Sequence, residues 1–264
     1  EYWSILGKFE SNGINFDASL KQFDKKTIAI GKDFNKNDGT VKNNEFLVLD
    51  EKKSQELCIN FKNSKWLIKD IKEKPSTQNP YPPFITSTLQ QEGIRKLKMS
   101  SQAVMITAQK LYEAGLITYM RTDSINLSNE AINASRKAIK ESFNSKYIPE
   151  KPRVFKSKVK NAQEAHEAIR PAGSTFKHPD KLKNSLESSE WKLYNLIWKR
   201  TLASQMKSAK ILNTSIDIIN DNALLRATGK VIEFPGFLKV YVEDIDDPNK
   251  DKDDKENTLP KLKI

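Results

Sequence analysis

Residues 74–83 read Lys74-Pro75-Ser76-Thr77-Gln78-Asn79-Pro80-Tyr81-Pro82-Pro83, and four of these ten residues are proline. Proline fixes φ and lacks a backbone N–H, so the stretch favours a linker or a crossing between domains. The hydrophobic pattern also changes here, because apolar residues alternate or form short runs before the stretch and recur at helical spacing after it. The proline-rich stretch therefore predicts a boundary between a β-rich part and a helical part of the chain.

The part before residue 80 is predicted to consist mostly of strands. Residues 32–44 are rich in Asn, Asp, Lys and Gly, which predicts a loop. Residues 51–61 are expected to form one short helix that ends before Asn63. The predicted strands are short alternating or apolar runs at residues 3–6, 16–20, 27–30, 46–49 and 66–74.

The part from about residue 86 to residue 206 is predicted to be helical. Ser100 or Ser101 is a suitable N-cap for a helix that stops at Gly115, because a hydroxyl accepts from the free backbone N–H groups of the first turn. Ser128 is placed to cap a second helix, whose apolar residues recur at three- and four-residue spacing. A third helix is predicted from about residue 187 to residue 205.

Strand patterns return after residue 208. Residues 220–222, Asn-Asp-Asn, indicate a hairpin turn. Residues 244–257 are dense in Asp and Lys, which predicts a solvated stretch. The predicted strands are residues 211–219, 223–227 and 237–242, and residues 259–264 resemble the opening of another. Strand patterns therefore lie on both sides of the helical part of the sequence, which predicts a helical domain inserted in a β domain. The start without an initiator Met and the final strand pattern suggest that both ends are cut.

Composition excludes several classes of protein. The 264 residues include 12 Phe, 7 Tyr and 4 Trp, enough aromatic surface for a core, so wholesale disorder is excluded. No apolar run approaches the roughly 18 residues of a membrane-spanning helix. One Cys and two His build neither a disulfide nor a zinc site, which fits a reducing compartment. Glycine-rich nucleotide loops and the G-x-S-x-G pattern are missing, so an NTPase, a dinucleotide enzyme and a serine hydrolase have no support.

The net charge of +11 is compatible with a nucleic-acid partner but does not identify one. Lys supplies nearly all of the positive charge, and only seven residues are Arg. Because Arg suits forked contacts with phosphate, each of these few arginines is informative about a site.

The segment Gly115-Leu116-Ile117-Thr118-Tyr119-Met120-Arg121-Thr122-Asp123-Ser124 concentrates the groups that could act chemically. One interpretation is a buried tyrosine beside an Arg–Asp pair on the surface. The other is a tyrosine nucleophile, and a phenol with a pKa of about 10 attacks at neutral pH only if its proton is removed or its charge is stabilised. In an extended segment Tyr119 and Arg121 point to the same side, so Arg121 is placed to hold a phosphate that Tyr119 attacks. The residues alone leave both interpretations open.

Four ordered motifs narrow the choice. The first is Thr118-Tyr119-Met120-Arg121-Thr122-Asp123-Ser124, and the others are Pro83-Phe84-Ile85-Thr86-Ser87-Thr88-Leu89-Gln90-Gln91, Leu111-Tyr112-Glu113-Ala114-Gly115 and Glu164-Ala165-His166-Glu167-Ala168-Ile169-Arg170-Pro171. Together they resemble the motifs of the bacterial type IA DNA topoisomerase family, whose active-site motif the first one matches. Looser similarity extends through the flanking β segments and covers most of the chain. Met120 favours the topoisomerase I branch, because topoisomerase III relatives commonly carry Pro there.

The resemblance implies a mechanism. Tyr119 would attack a phosphodiester of one DNA strand and form a transient 5′-phosphotyrosyl link, which leaves a free 3′-OH. Arg121 would contact the scissile phosphate, and His166 would lie close to the same phosphate unless it is a satisfied core histidine. Strand passage through the gap and religation would relax negative supercoils without ATP. The other residues expected to bind the DNA are Thr118, Thr122, Asp123, Ser124 and Arg170.

The resemblance also implies a multidomain α/β fold, in which a β-rich arch (domain II) is interrupted by a mainly helical domain III. The arch is expected at residues 1–78 and 209–264, and domain III at residues 79–208. The family's Toprim domain, whose acidic residues hold Mg²⁺, and its domain IV are expected outside this chain. The chain alone is therefore expected to hold no metal and to be inactive. Its expected partners are single-stranded segments of negatively supercoiled DNA and those two domains, with no membrane, in the cytoplasm at the nucleoid.

Two alternatives remain. A non-enzymatic module would bind single-stranded nucleic acid, with Tyr119 stacking on a base. Such stacking does not require the Arg, Asp and His motifs together, which favours the enzyme. A topoisomerase III-like or RNA-acting relative would be distinguished by sequence that flanks this chain.

Overall fold

A computed structural model describes residues 1–11, 13–43, 45–155, 167–241 and Leu259. Within them the chain is a mixed α/β protein, which confirms the predicted fold class at that level. The chain divides into two compact units. One contains Glu1–Ser76, Ile211–Glu233 and Leu259, and the other contains Thr77–Lys210 and residues 234–241. The assignment of 1–78 and 209–264 to an arch, and of 79–208 to an inserted domain III, stays a prediction.

The strands of the described residues form one sheet. They are β1 (Leu6–Ser11), β2 (Ile14–Phe23), β3 (Lys26–Ile28), β4 (Phe46–Leu47), β5 (Leu67–Gln78), β6 (Ala209–Ile219) and β7 (Ala223–Phe234). Their order is β4-β3-β2-β7-β6-β5, with β1 also paired to β2. β2 runs antiparallel to β1, β3 and β7, whereas β3 and β4 are parallel. The backbone N–H of Asn220 donates to the carbonyl of Ala223, which closes the predicted hairpin turn between β6 and β7.

The first unit has its core on one face of this sheet. Phe16, Ala18 and Leu20 alternate along β2 and are all buried, as successive residues of a strand point to opposite faces. The predicted short helix is α1 (Glu51–Lys62), and its N-cap Asp50 accepts from the backbone N–H of Lys53. α1 adds the buried Leu57 to the same core. This unit therefore behaves as a sheet covered by one amphipathic helix.

Helices build the second unit. They are α2 (Thr86–Leu97), α3 (Ser101–Glu113), α4 (Asn129–Phe143), α5 (Pro179–Leu182) and α6 (Ser188–Ser204). The predicted caps are confirmed, because the hydroxyls of Ser100 and Ser128 accept from the first turns of α3 and α4. α6 packs against α2, α3 and α4 and is buried on most of its surface, with Leu193 and Ile197 fully enclosed. The predicted third helix is therefore the centre of this unit.

The proline-rich stretch is only partly a linker. β5 continues through Pro75 to Gln78, so the strand ends later than the predicted residue 74. β5 lies at the end of the strand order. An edge strand tolerates proline because the backbone N–H groups on its outer side pair with no neighbouring strand. The linker character is confined to the residues that follow, before Thr86 opens α2.

Two further strand predictions are wrong. β1 begins at Leu6, after most of the predicted strand 3–6. The predicted strand 237–242 is instead a 3₁₀ helix at Gly236–Lys239 where the structure describes it. Gly236 has a φ of +50°, and a Cβ there would lie 2.5 Å from the carbonyl oxygens of Lys207 and Ser208, so the chain turns where the apolar pattern predicts a strand. The predictions for residues 244–257 and 260–264 lie outside the described residues.

Candidate active site

The chain that carries Tyr119 leaves α3 through a tight reversal. Gly115 has a φ of +66°, the left-handed conformation that commonly ends a helix at glycine. The backbone N–H of Gly115 donates to the carbonyl of Tyr112 over 2.8 Å, and that of Leu116 donates to the carbonyl of Leu111 over 2.9 Å. These bonds satisfy the last carbonyls of α3 and direct the chain into residues 117–124, here called the Tyr119 segment.

Thr118 fixes one end of the Tyr119 segment. Its backbone N–H donates to the carbonyl of Arg170 over 2.9 Å. Its hydroxyl donates to the carbonyl of Ala168 over 2.8 Å and accepts from the N–H of Arg170 over 3.0 Å. Both partners belong to residues 167–173, here called the Arg170 segment. The hydroxyl of Thr118 is therefore occupied within the protein.

Thr86 fixes the other end, from the first residue of α2. Its hydroxyl donates to the carbonyl of Met120 over 2.8 Å and accepts from the N–H of Thr122 over 2.9 Å. Its own N–H donates to the carbonyl of Thr122 over 3.0 Å. Thr86 lies in one of the four motifs, at the predicted start of the helical part, but was not among the predicted site residues. The backbone around Tyr119 is thus held by a threonine hydroxyl on each side.

Side chains of the Tyr119 segment alternate between solvent and core. Met120 is 1% exposed, whereas Tyr119 is 46% exposed, and Arg121 and Asp123 are also exposed. Ser124 is buried at 2% exposure. Alternation of this kind is expected of an extended backbone, and it leaves both Tyr119 and Arg121 exposed. The interpretation of Tyr119 as a buried structural tyrosine does not fit this exposure.

The rings of Tyr119 and Tyr112 meet edge to face. Their centroids are 5.2 Å apart, with an angle of 67° between the ring planes. Within the described part of the chain, the phenol oxygen of Tyr119 makes no hydrogen bond, and the guanidinium of Arg121 makes neither a hydrogen bond nor an ion pair. The Arg–Asp surface pair considered from the sequence is likewise not formed by Arg121 and Asp123 among these residues. Among the described residues, nothing occupies the guanidinium of Arg121 that could compete with an anion.

Arg170, in contrast to the exposed Arg121, is buried and makes several hydrogen bonds. It is 6% exposed, and its guanidinium donates to both carboxylate oxygens of Glu167, with the shorter contact 2.7 Å long. It also donates to the carbonyls of Pro171 over 2.9 Å and Gly173 over 3.2 Å. These contacts use most of the donors of a guanidinium. Arg170 reaches the Tyr119 segment through its backbone, which is bonded to Thr118.

Glu167 links this arginine to α4. One of its carboxylate oxygens accepts from the backbone N–H of Ser128 over 2.6 Å, at the N-cap of that helix. Burial raises the pKa of Glu167, but hydrogen bonds from Arg170 and Ser128 favour the charged form more strongly, so its pKa lies below the ordinary value. The carboxylate is therefore a structural anion in this arrangement.

The structure brings seven of the eight predicted site residues together. His166 lies outside the described residues. Among the described ones, no three His, Cys, Asp or Glu side chains gather as a cation site. In the same part of the chain, no helix has the length and apolar content needed to cross a bilayer. The residues that meet are Thr118, Tyr119, Arg121, Thr122, Asp123 and Ser124 in one segment, with Arg170 bonded to it.

Comparisons with known proteins identify relatives of this chain. A family model described as DNA topoisomerase matches residues 1–264. DNA topoisomerase 1 of Synechococcus elongatus is 44% identical over 264 residues, which are 100% of this chain and 30% of that protein. DNA topoisomerase 1 of Mycolicibacterium smegmatis is 42% identical over 274 residues, which cover 99% of this chain and 29% of that protein. This chain therefore spans about 30% of the length of these curated relatives.

A solved structure is also similar. Full-length topoisomerase I from Thermotoga maritima aligns with a TM-score of 0.65 and 29% sequence identity. The alignment covers 91% of this chain and 37% of that one.

Proposed function

The chain belongs to the bacterial type IA DNA topoisomerase I family, and we propose that the full-length protein is an isomerase that relaxes negatively supercoiled DNA without ATP. Tyr119 is the proposed nucleophile. The observation that carries this proposal is an exposed phenol beside the exposed Arg121, on a backbone held at both ends by Thr86 and Thr118. Fixing the backbone while leaving the side chains accessible is how a site preorganises a reacting group.

In the proposed step, the phenol oxygen of Tyr119 attacks the phosphorus of one phosphodiester in a single DNA strand. A new bond joins Tyr119 to the 5′-phosphate, and the bond between that phosphorus and the 3′ oxygen breaks. The 3′ oxygen takes up a proton as it leaves and becomes a hydroxyl, which balances the proton that the phenol loses. One phosphate ester replaces another, so the reverse attack reseals the strand without a nucleotide. Passage of the second strand through the gap between these two steps changes the supercoiling.

Arg121 is proposed to stabilise the charge on the reacting phosphate. A guanidinium presents several donors in one plane, and charge-assisted hydrogen bonds to phosphate are among the stronger ones. We assign His166 to the same phosphate on the resemblance alone, since it lies outside the described residues. Asp123 is also exposed and is proposed to border the DNA.

The remaining DNA-contact assignments rest on less accessible groups. Thr118, Thr122 and Ser124 are half-buried or buried, and each makes hydrogen bonds within the protein. Arg170 is buried and bonded to Glu167. Their contribution to DNA binding is proposed to act mainly through the shape of the Tyr119 segment.

Magnesium is proposed for the full-length protein, with ligands outside this chain. The described residues do not fit a Mg²⁺ site, because the exposed Asp123 has no cluster of carboxylates around it and Mg²⁺ requires several oxygen ligands. We further propose that this chain alone does not relax DNA, that a Toprim domain and a domain IV complete the site, and that the protein acts at the nucleoid in the cytoplasm.

The test is cleavage of a labelled single-stranded oligonucleotide by the full-length protein with Mg²⁺. We expect a covalent adduct with the unchanged protein and none with Tyr119→Phe, which removes the phenol oxygen alone. Tyr112→Phe is the matched control, because it removes the phenol oxygen of the ring that contacts Tyr119 and should keep the adduct. An adduct formed by Tyr119→Phe contradicts the assignment, and tight single-strand binding without any adduct favours the non-enzymatic module.

A second assay tests the chain by itself. We expect no relaxation of supercoiled plasmid by residues 1–264 with Mg²⁺, under conditions in which the full-length protein relaxes it. Relaxation by the chain alone contradicts the proposed need for further domains.

A further inference from the structure

Hydrogen bonds hold the backbone on both sides of Tyr119, but among the described residues its phenol makes none. The hydrogen bonds of Thr86 and Thr118 fix the peptide groups on either side of it. None of these bonds reaches the phenol, which is 46% exposed. A half-exposed aromatic side chain on a fixed backbone can still adopt several staggered rotamers. Only some of these rotamers direct the phenol oxygen at a given phosphate.

The ring of Tyr112 limits that choice. It packs against the ring of Tyr119 with centroids 5.2 Å apart and planes at 67°, a favourable edge-to-face arrangement. Among the described residues this is the one aromatic contact of Tyr119. A rotamer that moves the Tyr119 ring away gives up this contact, so the pair favours one position of the phenol oxygen.

Tyr112 is well placed for this role because it stands on a rigid element. It belongs to the last turn of α3, whose inner face carries the fully buried Val104 and Ala108 and which packs against α2 and α6. Its carbonyl accepts the bond from Gly115 that starts the reversal toward Tyr119. The ring of Tyr112 itself remains 41% exposed, which is more than a core side chain needs. Burial alone therefore does not account for a large aromatic residue at this position.

We propose that Tyr112 is a positioning residue that fixes the rotamer of Tyr119 both before cleavage and in the phosphotyrosyl intermediate. This inference rests on the proposed function of Tyr119. The contact uses the ring of Tyr112 and not its hydroxyl, which makes no hydrogen bond within the described residues. Because the same ring position serves attack and resealing, loss of Tyr112 slows both directions and leaves their ratio unchanged. A residue that only binds DNA would change affinity, and one that only stabilises the fold would change neither rate of the folded protein.

The experiment measures single-turnover rates of adduct formation and of religation with a single-stranded oligonucleotide, using the full-length protein at saturating DNA. For Tyr112→Ala we expect both rates to fall by roughly 2- to 13-fold, the factor that corresponds to the 0.5–1.5 kcal/mol of an aromatic pair. For Tyr112→Phe we expect both rates within about twofold of the unchanged protein, because the ring is kept. Ile106→Ala is the matched control, since it removes another exposed apolar side chain from α3 and should leave both rates unchanged.

The outcomes separate this inference from the proposed function. Thermal unfolding of each variant verifies that the rates refer to folded protein, and Tyr112→Leu replaces Tyr112→Ala if the latter unfolds. Unchanged rates in Tyr112→Ala, or equal losses in Tyr112→Phe and Tyr112→Ala, overturn the positioning role. An adduct in Tyr119→Phe overturns the proposed function, and the positioning role with it. Loss of the adduct in Tyr119→Phe with native rates in Tyr112→Ala overturns the positioning role only.

Discussion

The Tyr119 segment and the Arg170 segment lie side by side and share backbone hydrogen bonds, but they direct their arginines in opposite ways. Arg121 is exposed and has no partner among the described residues. Arg170 is 6% exposed and is bonded to a carboxylate and two carbonyls. Both residues occur in motifs of one family, yet within the described part of the chain the guanidinium of Arg121 has no partner and that of Arg170 has several.

From this difference we infer that the two arginines have different roles. A cation proposed to bind a phosphate needs accessible donors, and Arg121 is exposed with no partner among the described residues. A buried cation has to be paired, since an unpaired charge in the interior is strongly unfavourable, and Glu167 supplies that pairing for Arg170. We therefore expect substitution of Arg121 to affect the reaction and substitution of Arg170 to affect the fold.

The largest effect is expected for Arg121→Ala in the full-length protein. Loss of a donor that acts on the transition state lowers rates by roughly 100- to 1,000-fold, and we expect that loss in the rate of single-strand cleavage. The free energy of unfolding should change by less than about 0.5 kcal/mol, because an exposed side chain without partners contributes little. Lys137→Ala, which removes an exposed cation from α4, is the control and should cleave normally. A normal cleavage rate in Arg121→Ala would remove Arg121 from the proposed mechanism.

A smaller effect, on stability, is expected for Arg170→Met. Breaking a buried ion pair is strongly destabilising, but the side chain of Glu167 is 31% exposed and recovers some hydration. We expect a loss of roughly 2 kcal/mol in the free energy of unfolding, measured by urea titration. Lys72→Met breaks a pair with Asp70 in which both side chains are exposed, and it should lose about 0.5 kcal/mol or less. Equal losses in the two variants would show that burial does not distinguish Arg170.

The smallest effect is a dependence of stability on pH through Glu167. Its pKa in the folded protein lies below the ordinary value of 4.5, so its contribution is fully present above that pH. The contribution is lost as the pH falls through the folded pKa, because the protonated carboxyl no longer pairs with Arg170. The stability difference between the unchanged protein and Glu167→Gln should therefore shrink below pH 4.5, by about 0.5 kcal/mol or less after solvent screening. A difference that is constant from pH 6 to pH 3 in urea titrations would exclude this linkage.

Local signals in the sequence predicted much of the fold. The caps Ser100 and Ser128 and the stop at Gly115 act within one helical turn, so their neighbours in sequence suffice to identify them. The 3₁₀ helix at Gly236–Lys239 was not predictable in this way. Its conformation depends on the carbonyls of Lys207 and Ser208, which approach Gly236 from a different part of the chain.

The candidate site shows the same division. The extended alternation that exposes Tyr119 and Arg121 follows from their two-residue spacing. The role of Thr86 required the structure, because its hydroxyl bonds to residues 34 and 36 positions away. The burial of Arg170 also could not be predicted from the sequence, because it depends on tertiary structure. An arginine in a motif is compatible with a DNA contact and with an internal ion pair.

The assignment of Tyr119 as the nucleophile is tested most directly by locating the covalent bond between the protein and the DNA. Trypsin cleaves after Lys110 and Arg121, so one peptide, residues 111–121, contains both Tyr112 and Tyr119. The full-length protein would be trapped with a single-stranded oligonucleotide and digested with nuclease and trypsin, and the peptide would be fragmented in a mass spectrometer. We expect the nucleotide phosphate on Tyr119 and an unmodified Tyr112. A phosphate on Tyr112, or on any other peptide, would contradict the assignment of the exposed Tyr119 as the nucleophile.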